Sequence, residues 1–360
     1  MRREFFLSVL LCLPAPAADA DLILHNAKII TVDTAFRVVE AIAIKSGRIT
    51  ATGTSADILR AERGPRTKVV DLGGKTVLPG LTDAHVHALE AGLSEYRKTL
   101  PALDSIAAIQ DYIRAAARSR PKGSWIVVPR TLPPRLREKR FPTKQDLDVA
   151  ADHPVAFDGS YVWGANSLAL KMSGITRDTP NPPGGEIVKG ADGEPNGILR
   201  NASQLLKGAV GSETFSDEDK VAALGKMLQI YAAAGLTAVG DRAVTPMEVA
   251  VFEKLKQRQE LPVRVTLTWR INAARPVEQV VSEIRASSWT TNQGDDWLRF
   301  GAFKVTLDGG QSVGTAYQRM PYGPFGRQLY GQTDPDARGT LFVDPEKLYR
   351  IMRAARDKGA

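Results

Sequence analysis

The pattern of apolar and polar positions changes near residue 76. Before that point the chain consists of short runs rich in Val, Ile and Thr, separated by turn signals at Ser46-Gly47 and Gly73-Gly74. Five of these runs are predicted β-strands: residues 22–24, 28–32, 41–45, 48–52 and 68–72. Short strands broken by turns are typical of an all-β unit, so we predict a small N-terminal β-sandwich domain over residues 21–77.

After residue 76, short apolar segments alternate with amphipathic helices. Predicted helices cover residues 104–118, where Ile106, Ile109 and Ile113 share one face, and residues 217–234. The predicted buried strands are residues 125–128, 154–157, 236–240, 263–269 and 298–306. Residues 176–211 are rich in Gly, Pro and Asn, and we expect one long loop there. The alternation predicts an α/β fold with a partial TIM-like (β/α) barrel over residues 78–360.

The last predicted helix starts at Asp344-Pro345, places Leu348 and Ile351 on one face, and reaches Gly359. The sequence ends one residue later, where a βα unit would continue with a strand. About five barrel strands are identifiable, whereas a closed barrel needs eight. We therefore expect a barrel that is incomplete at its C-terminus, and a fragment of negligible activity unless a partner chain supplies the rest.

Residues 1–20 have the features of a cleaved secretory signal peptide. Arg2 and Arg3 precede an apolar run at residues 5–13, and small residues follow up to Ala20. The apolar run is too short for a permanent bilayer span, so an uncleaved anchor is the less favoured alternative. Cys12, the only cysteine, falls within this leader. We therefore expect a periplasmic or secreted protein with no disulfide and no stable membrane span.

Composition excludes several classes of function. The 360 residues are 43% hydrophobic and carry a net charge of +8, which is ordinary for a globular protein. The densest basic run, residues 135–140, has little aromatic interleaving, so we expect no nucleic-acid partner. The sequence has no G-x-S-x-G elbow and no G-x-x-x-x-G-K loop, so serine-hydrolase and P-loop chemistry lack their usual marks. Oligomeric state stays open, and a homo-oligomer is one alternative.

Candidate chemistry is concentrated at His85 and His87. They end a short apolar strand, and because strand side chains alternate with period two, both imidazoles can leave the strand on the same side. Two neutral imidazoles form part of a site for Zn²⁺ or a similar divalent ion. By itself the pair is equally compatible with two histidines in a polar loop after a strand.

The surrounding sequence resembles a known family. Residues 79–87, PGLTDAHVH, resemble the PGxxDxHxH signature of the metal-dependent amidohydrolase superfamily. Three further segments resemble the branch called the third amidohydrolase family, which includes N-substituted formamide deformylases: NSLAL at residues 166–170, the Gly-rich segment 184–197, and FKVTLDGG at residues 303–310. The resemblance runs from about residue 21 to the last residue and stops short of the family's usual end.

The resemblance implies a metal-dependent hydrolase of non-peptide C–N bonds, acting on a small amide, formamide or cyclic amide. It implies a divalent metal, preferably zinc, held by His85, His87 and Lys304, the last as a carbamate. The alternative for Lys304 is an ion pair with Asp308 at a strand end. The family's two further histidines and its aspartate base cannot be located, and a histidine common near Ser160 is absent. Asp241 could orient a metal-bound imidazole or only pair with Arg242.

The alternative function is a catalytically inactive remnant, or a binding module of the same fold. It has the histidine pair but lacks the residues that would complete a catalytic zinc site. Metal content separates the two, because an enzyme of this type binds at least about one ion per chain.

Overall fold

The computed structural model describes residues 19–209 and 214–360. The chain divides between Leu81 and Thr82 into two compact units. The predicted signal peptide lies outside the described residues, except for Asp19 and Ala20. Within the described part of the chain, no helix combines the length and the apolar character that crossing a membrane requires.

The first unit contains two β-sheets and one helix. Its strands are β1 (Leu22–His25), β2 (Lys28–Ile30), β3 (Val38–Val39), β4 (Ala41–Lys45), β5 (Arg48–Gly53), β6 (Lys68–Asp71) and β7 (Thr76–Val77), and its helix is α1 (Ser55–Glu62). One sheet has the order β5, β4, β1, β6, and the other has the order β3, β2, β7. Ile23, Ala41, Ala43 and Ile58 form the buried core. The two sheets are present, whereas their arrangement as a sandwich stays a prediction.

The second unit is a mixed α/β structure. Its strands are β8 (Leu81–Val86), β9 (Ile126–Val128), β10 (Val155–Gly159), β11 (Val162–Ala165), β12 (Glu186–Lys189), β13 (Pro195–Arg200), β14 (Leu236–Val244), β15 (Arg264–Ile271) and β16 (Leu298–Val305). Its helices are α2 (Ala88–Glu95), α3 (Ile106–Ser119), α4 (Lys144–Leu147), α5 (Ser167–Met172), α6 (Asp217–Ala233), α7 (Pro246–Gln257), α8 (Val277–Ala286), α9 (Pro324–Tyr330) and α10 (Pro345–Asp357). The predicted helices at 104–118, at 217–234 and near the C-terminus are confirmed.

A four-stranded sheet carries the histidine pair. Its order is β16, β15, β14, β8, so β8 is one edge and β16 is the other. Strands β14, β15 and β16 run parallel, which brings their carboxyl ends to the same side of the sheet. Val239, Val265 and Leu267 of the sheet share a buried core with Leu224 and Phe252 of the covering helices. Burying these apolar side chains holds the strands in register.

A second sheet has the order β12, β13, β11, β10, β9, and it corrects two expectations. The predicted strands at 125–128 and 154–157 form, but they belong to this mixed sheet, so their assignment to one barrel sheet with β14–β16 is wrong. The expectation of a single loop over residues 176–211 is also wrong, because β12 and β13 form an antiparallel pair there. Gly193, at φ 78°, provides the turn between these two strands.

The region predicted to form a barrel, residues 78–360, is thus an α/β unit with two sheets. The sequence of a short apolar run does not distinguish a parallel sheet, a barrel and a mixed sheet, because all three can bury both faces of a strand. The choice among them depends on pairing partners far away in the sequence. Closure into a TIM-like barrel stays a prediction.

Gly92 allows helix α2 to approach helix α6 closely. A Cβ at position 92 would lie 2.6 Å from the carbonyl oxygen of Ala223, which is backbone and cannot move aside. We expect Gly92→Ala to lower the free energy of unfolding by about 1–3 kcal/mol, because overpacking outweighs the better helix propensity of alanine. Urea denaturation of the purified protein measures this change.

Gly225 in α6 is the matched control. A Cβ there would first meet Leu255 Cδ2 at 3.4 Å, an ordinary contact with a flexible side chain. Gly225→Ala should leave stability unchanged or raise it by about 0.5–1 kcal/mol. A Gly92→Ala protein as stable as the Gly225→Ala protein would contradict the close-approach argument.

Candidate functional site

The two histidines lie at the carboxyl end of β8. His85 is inside the strand, and His87 is the capping residue between β8 and α2, with φ −129°. Their ring centroids are 5.3 Å apart and the rings are nearly perpendicular, at 81°. Both side chains are accessible from solvent, as a site for a small molecule requires. The structure therefore brings the predicted pair together in one place.

Lys304 meets the histidine pair from the opposite edge of the same sheet. Its Nζ lies 3.5 Å from His85 Nε2. Three strand spacings of about 4.8 Å would place the edges of a flat sheet about 14 Å apart, so the two long side chains reach across a curved sheet. The alternative pairing of Lys304 with Asp308 is not seen among the residues that the structure describes. Asp308 accepts a hydrogen bond from Tyr317 N at 2.7 Å instead.

Asp241, on β14, lies beside the histidine pair. The sequence left open whether it orients a metal-bound imidazole or only pairs with Arg242. It is 3% exposed, its Oδ2 accepts a 2.8 Å hydrogen bond from Ala88 N, and its Oδ1 lies 4.0 Å from His87 Nδ1. Burial raises the pKa of this carboxyl to about 6, against the opposing effect of its backbone hydrogen bonds. The available signal was a carboxylate near the end of a buried parallel strand, where functional groups of such sheets collect.

The electrostatics favour neutral imidazoles. Burial, assisted by the charge of Lys304, lowers the pKa of both His85 and His87. The pKa of His87 is lowered and Asp241 is beyond hydrogen-bond distance, so the two residues are neighbours and not an ion pair. Burial and the nearby Arg270 lower the pKa of Lys304 as well. Neutral imidazole is the form that binds metal ions, so the donor chemistry of the pair fits a divalent cation.

Arg242 fixes the end of β8. Its Nε donates a 2.6 Å hydrogen bond to Ala84 O, and its Nη1 donates to Thr268 Oγ1 at 3.0 Å. One guanidinium thereby joins three adjacent strands immediately before the histidine pair. The alternative that Asp241 only pairs with Arg242 is not supported, because this guanidinium is hydrogen-bonded elsewhere.

His153 and Ser160 have structural positions. His153 is 3% exposed, and its Nδ1 lies 2.9 Å from Ser124 O. Ser160 follows β10 in a left-handed conformation and donates its N–H to Asp158 Oδ1 at 2.7 Å. Over residues 19–209 and 214–360, no group of three or more His, Cys, Asp or Glu side chains is placed to hold a metal ion.

A cleft opens beside His87. Its volume is about 940 Å³, and His87 lines it together with Glu90 of α2 and with Arg130 and Trp125, which flank β9. Arg130 donates to Glu90 Oε1 at 2.9 Å and to Asp158 at 3.1 Å, which ties α2 to the five-stranded sheet. One candidate metal ligand, His87, thus faces a cavity large enough for a small organic molecule.

A solved structure shares the mixed α/β fold of this chain. This structure, described as an uncharacterized metal-dependent hydrolase from Pyrococcus horikoshii OT3, superposes with a TM-score of 0.59 at 22% identity, over 94% of this chain and 63% of that one. The chain itself belongs to the amidohydrolase family, whose third family model matches residues 68–360. The resemblance noted in the sequence is thereby confirmed.

Two curated relatives are similar over most of the chain. The putative amidohydrolase YtcJ of Bacillus subtilis is 31% identical over 89% of this chain, and an N-substituted formamide deformylase of Arthrobacter pascens is 33% identical over 67% of it. These matches cover 58% and 46% of the two relatives, respectively. The chain therefore spans about half the length of these proteins.

Proposed function

We propose that this chain provides the metal-binding part of a metal-dependent hydrolase that cleaves non-peptide C–N bonds in small amide-type substrates. The proposal rests on the observation that His85, His87 and Lys304 lie together. Lys304 Nζ is 3.5 Å from His85 Nε2, although β16 and β8 are opposite edges of the sheet. Membership of the amidohydrolase family and the adjoining cleft support it.

His85 and His87 would hold a divalent ion, with zinc preferred, and Lys304 would join them as a carbamate. A bound ion of this kind supplies Lewis acidity and lowers the pKa of water toward neutrality. Carbamate formation consumes the neutral amine and CO₂ and releases one proton, so the lowered pKa of Lys304 favours it. The carbamate replaces a cation that would repel the ion with an anion that binds it.

Asp241 and Arg242 act as positioning residues in this proposal. Asp241 holds the first turn of α2 through Ala88 N and lies beside His87, so its carboxylate can orient that imidazole. Arg242 fixes Ala84, one residue before His85. The curvature that brings β8 and β16 together supports the further proposal that their sheet is part of a TIM-like barrel.

The second candidate function is a binding module of the same fold without catalysis. It is favoured by the finding that, in the described parts of the chain, no three His, Cys, Asp or Glu side chains form a metal-binding group. Under this candidate the cleft binds a small molecule and no metal is required.

Metal content tests the proposal. We expect the purified protein, dialysed and then reloaded, to bind about one Zn²⁺ per chain by elemental analysis. A double variant, His85→Asn and His87→Asn, should bind none, because the amides are poor zinc ligands. An unmodified protein with no more zinc than this variant would favour the binding module.

For localisation we propose export to the periplasm or the medium, supported by the basic residues and the apolar run at the N-terminus. Residues 1–25 fused to a reporter should carry it across a bacterial inner membrane, and the leader should be removed. A fusion with Leu10→Arg and Leu11→Arg should stay inside, because charges interrupt the apolar run. Cytoplasmic retention of the unmodified fusion would contradict export.

A further inference from the structure

The cleft beside His87 has an apolar wall formed by two aromatic side chains. Trp125 and Tyr112 line it together with Leu100 and Pro129. Each ring is partly buried and packs against a hydrophobic core cluster, which restricts its motion. The indole lies against Gly208, where a Cβ would come within 2.7 Å of Trp125 Nε1. A rigid aromatic wall of this kind favours a flat apolar group in the ligand.

Arg130 and Arg120, which both line the cleft, differ in their ion pairs. Arg130 already faces two carboxylates, Glu90 and Asp158, so its charge is balanced within the protein. Arg120, the capping residue after α3, also lines the cleft and donates Nη1 to Trp125 O at 2.8 Å. In the part of the chain that the structure describes, no carboxylate forms an ion pair with it. Among the described residues, Arg120 is thus a cleft arginine whose charge no carboxylate balances, and it lies next to the aromatic wall.

We propose that this cleft binds the substituent of the amide substrate, and that the preferred substituent is an aromatic ring bearing a carboxylate. The ring lies against Trp125, the carboxylate is bound by Arg120, and the amide lies at the His87 end. This assignment rests on the proposed function and extends it, because it names the class of substrate as anionic aryl amides. Guanidinium is well suited to a carboxylate because it donates in a planar fork.

Two matched ligands test the assignment: 4-(acetamidomethyl)benzoate, and N-benzylacetamide, which lacks the carboxylate. Their affinities for the purified protein are measured by calorimetry, with and without added Zn²⁺. We expect the acid to bind about tenfold more tightly than the neutral amide, and we expect 0.5 M NaCl to reduce this preference. Equal binding of the two ligands to the unmodified protein would overturn the proposal.

Variants separate charge from structure. Arg120→Gln should remove the preference for the acid, whereas Arg120→Lys should keep part of it. Losing only the hydrogen bond to Trp125 O would weaken both ligands alike, so the difference between them reports the charge. Arg118→Gln, an exposed arginine of the same helix that does not line the cleft, is the control and should keep the full preference. A preference that survives Arg120→Gln would also overturn the proposal.

Trp125→Leu tests the aromatic wall and should weaken both ligands about fivefold or more. Circular dichroism checks its folding, and if it does not fold, the exposed Arg120 variants decide the question. Hydrolysis is assayed separately. Binding with the expected preference but no zinc-dependent hydrolysis refutes the proposed function and leaves the cleft assignment standing. Hydrolysis of both amides without any influence of Arg120 refutes the assignment and leaves the function standing.

Discussion

Lys304→Ala is expected to lower zinc affinity by about 100-fold or more, so that dialysed protein retains little metal. The expectation follows from the position of Lys304 Nζ, 3.5 Å from His85 Nε2, where a carbamate would reach the same ion as the imidazoles. Removing a residue that only supports a metal ligand typically costs 10–100-fold, so the loss of a direct ligand should cost at least the upper end of that range. Titration with a zinc chelator of known affinity measures the change.

Rescue distinguishes ligand loss from damage to the fold. Acetate or propionate should enter the space left by the side chain and partly restore zinc binding, because each supplies the carboxylate that the carbamate provided. Lys226→Ala, which removes an exposed lysine from α6, should bind zinc like the unmodified protein. Lys304→Ala with unchanged zinc affinity would exclude Lys304 as a ligand.

Asp241→Asn is expected to weaken zinc binding by about 10–100-fold. Asparagine has nearly the same shape and can still accept the hydrogen bond from Ala88 N, but it lacks the negative charge beside His87. The metal-free variant should therefore unfold at nearly the same temperature as the unmodified metal-free protein. A positioning role changes metal affinity, whereas a purely structural role changes only thermal unfolding.

Asp295→Asn is the matched control for Asp241→Asn. Asp295 also accepts backbone N–H groups, from Trp297 and Leu298, but it precedes the amino end of β16. Its replacement should leave zinc affinity unchanged. An equal effect of the two substitutions, or no effect of Asp241→Asn, would contradict the positioning role.

Local sequence signals predicted the elements on which the site is built. Helices α3 and α6 start where Ser105 and Ser216 accept hydrogen bonds from their first turns, a capping pattern that is readable without tertiary information. Strands β14, β15 and β16 are apolar enough to be recognised as buried. The alternation of side chains along β8 correctly indicated that His85 and His87 lie together.

These local signals could not predict which strands and side chains come together from distant parts of the sequence. Strands β12 and β13 lie in a segment rich in Gly and Pro, and they are stable because Ile187, Ile198 and Leu199 are buried against other strands. The contact of Lys304 with His85 was inferred only from the family resemblance, since the two residues are 219 positions apart. The role of Asp241 depends on a backbone N–H from another strand–helix junction, which composition and spacing do not reveal.

The hydrogen bond from Arg242 Nε to Ala84 O joins residues that are 158 positions apart, and it determines when the site can assemble during synthesis. His85 and His87 leave the ribosome long before their neighbours on β14, and the contact with Lys304 spans 219 residues. At about 5–20 residues per second, a span of that length takes about 10–40 s to translate. Arg242 is translated about 8–32 s after Ala84 at this rate, and until then β8 has no partner strand from β14, so the histidine pair remains outside its sheet and is open to any metal ion it encounters.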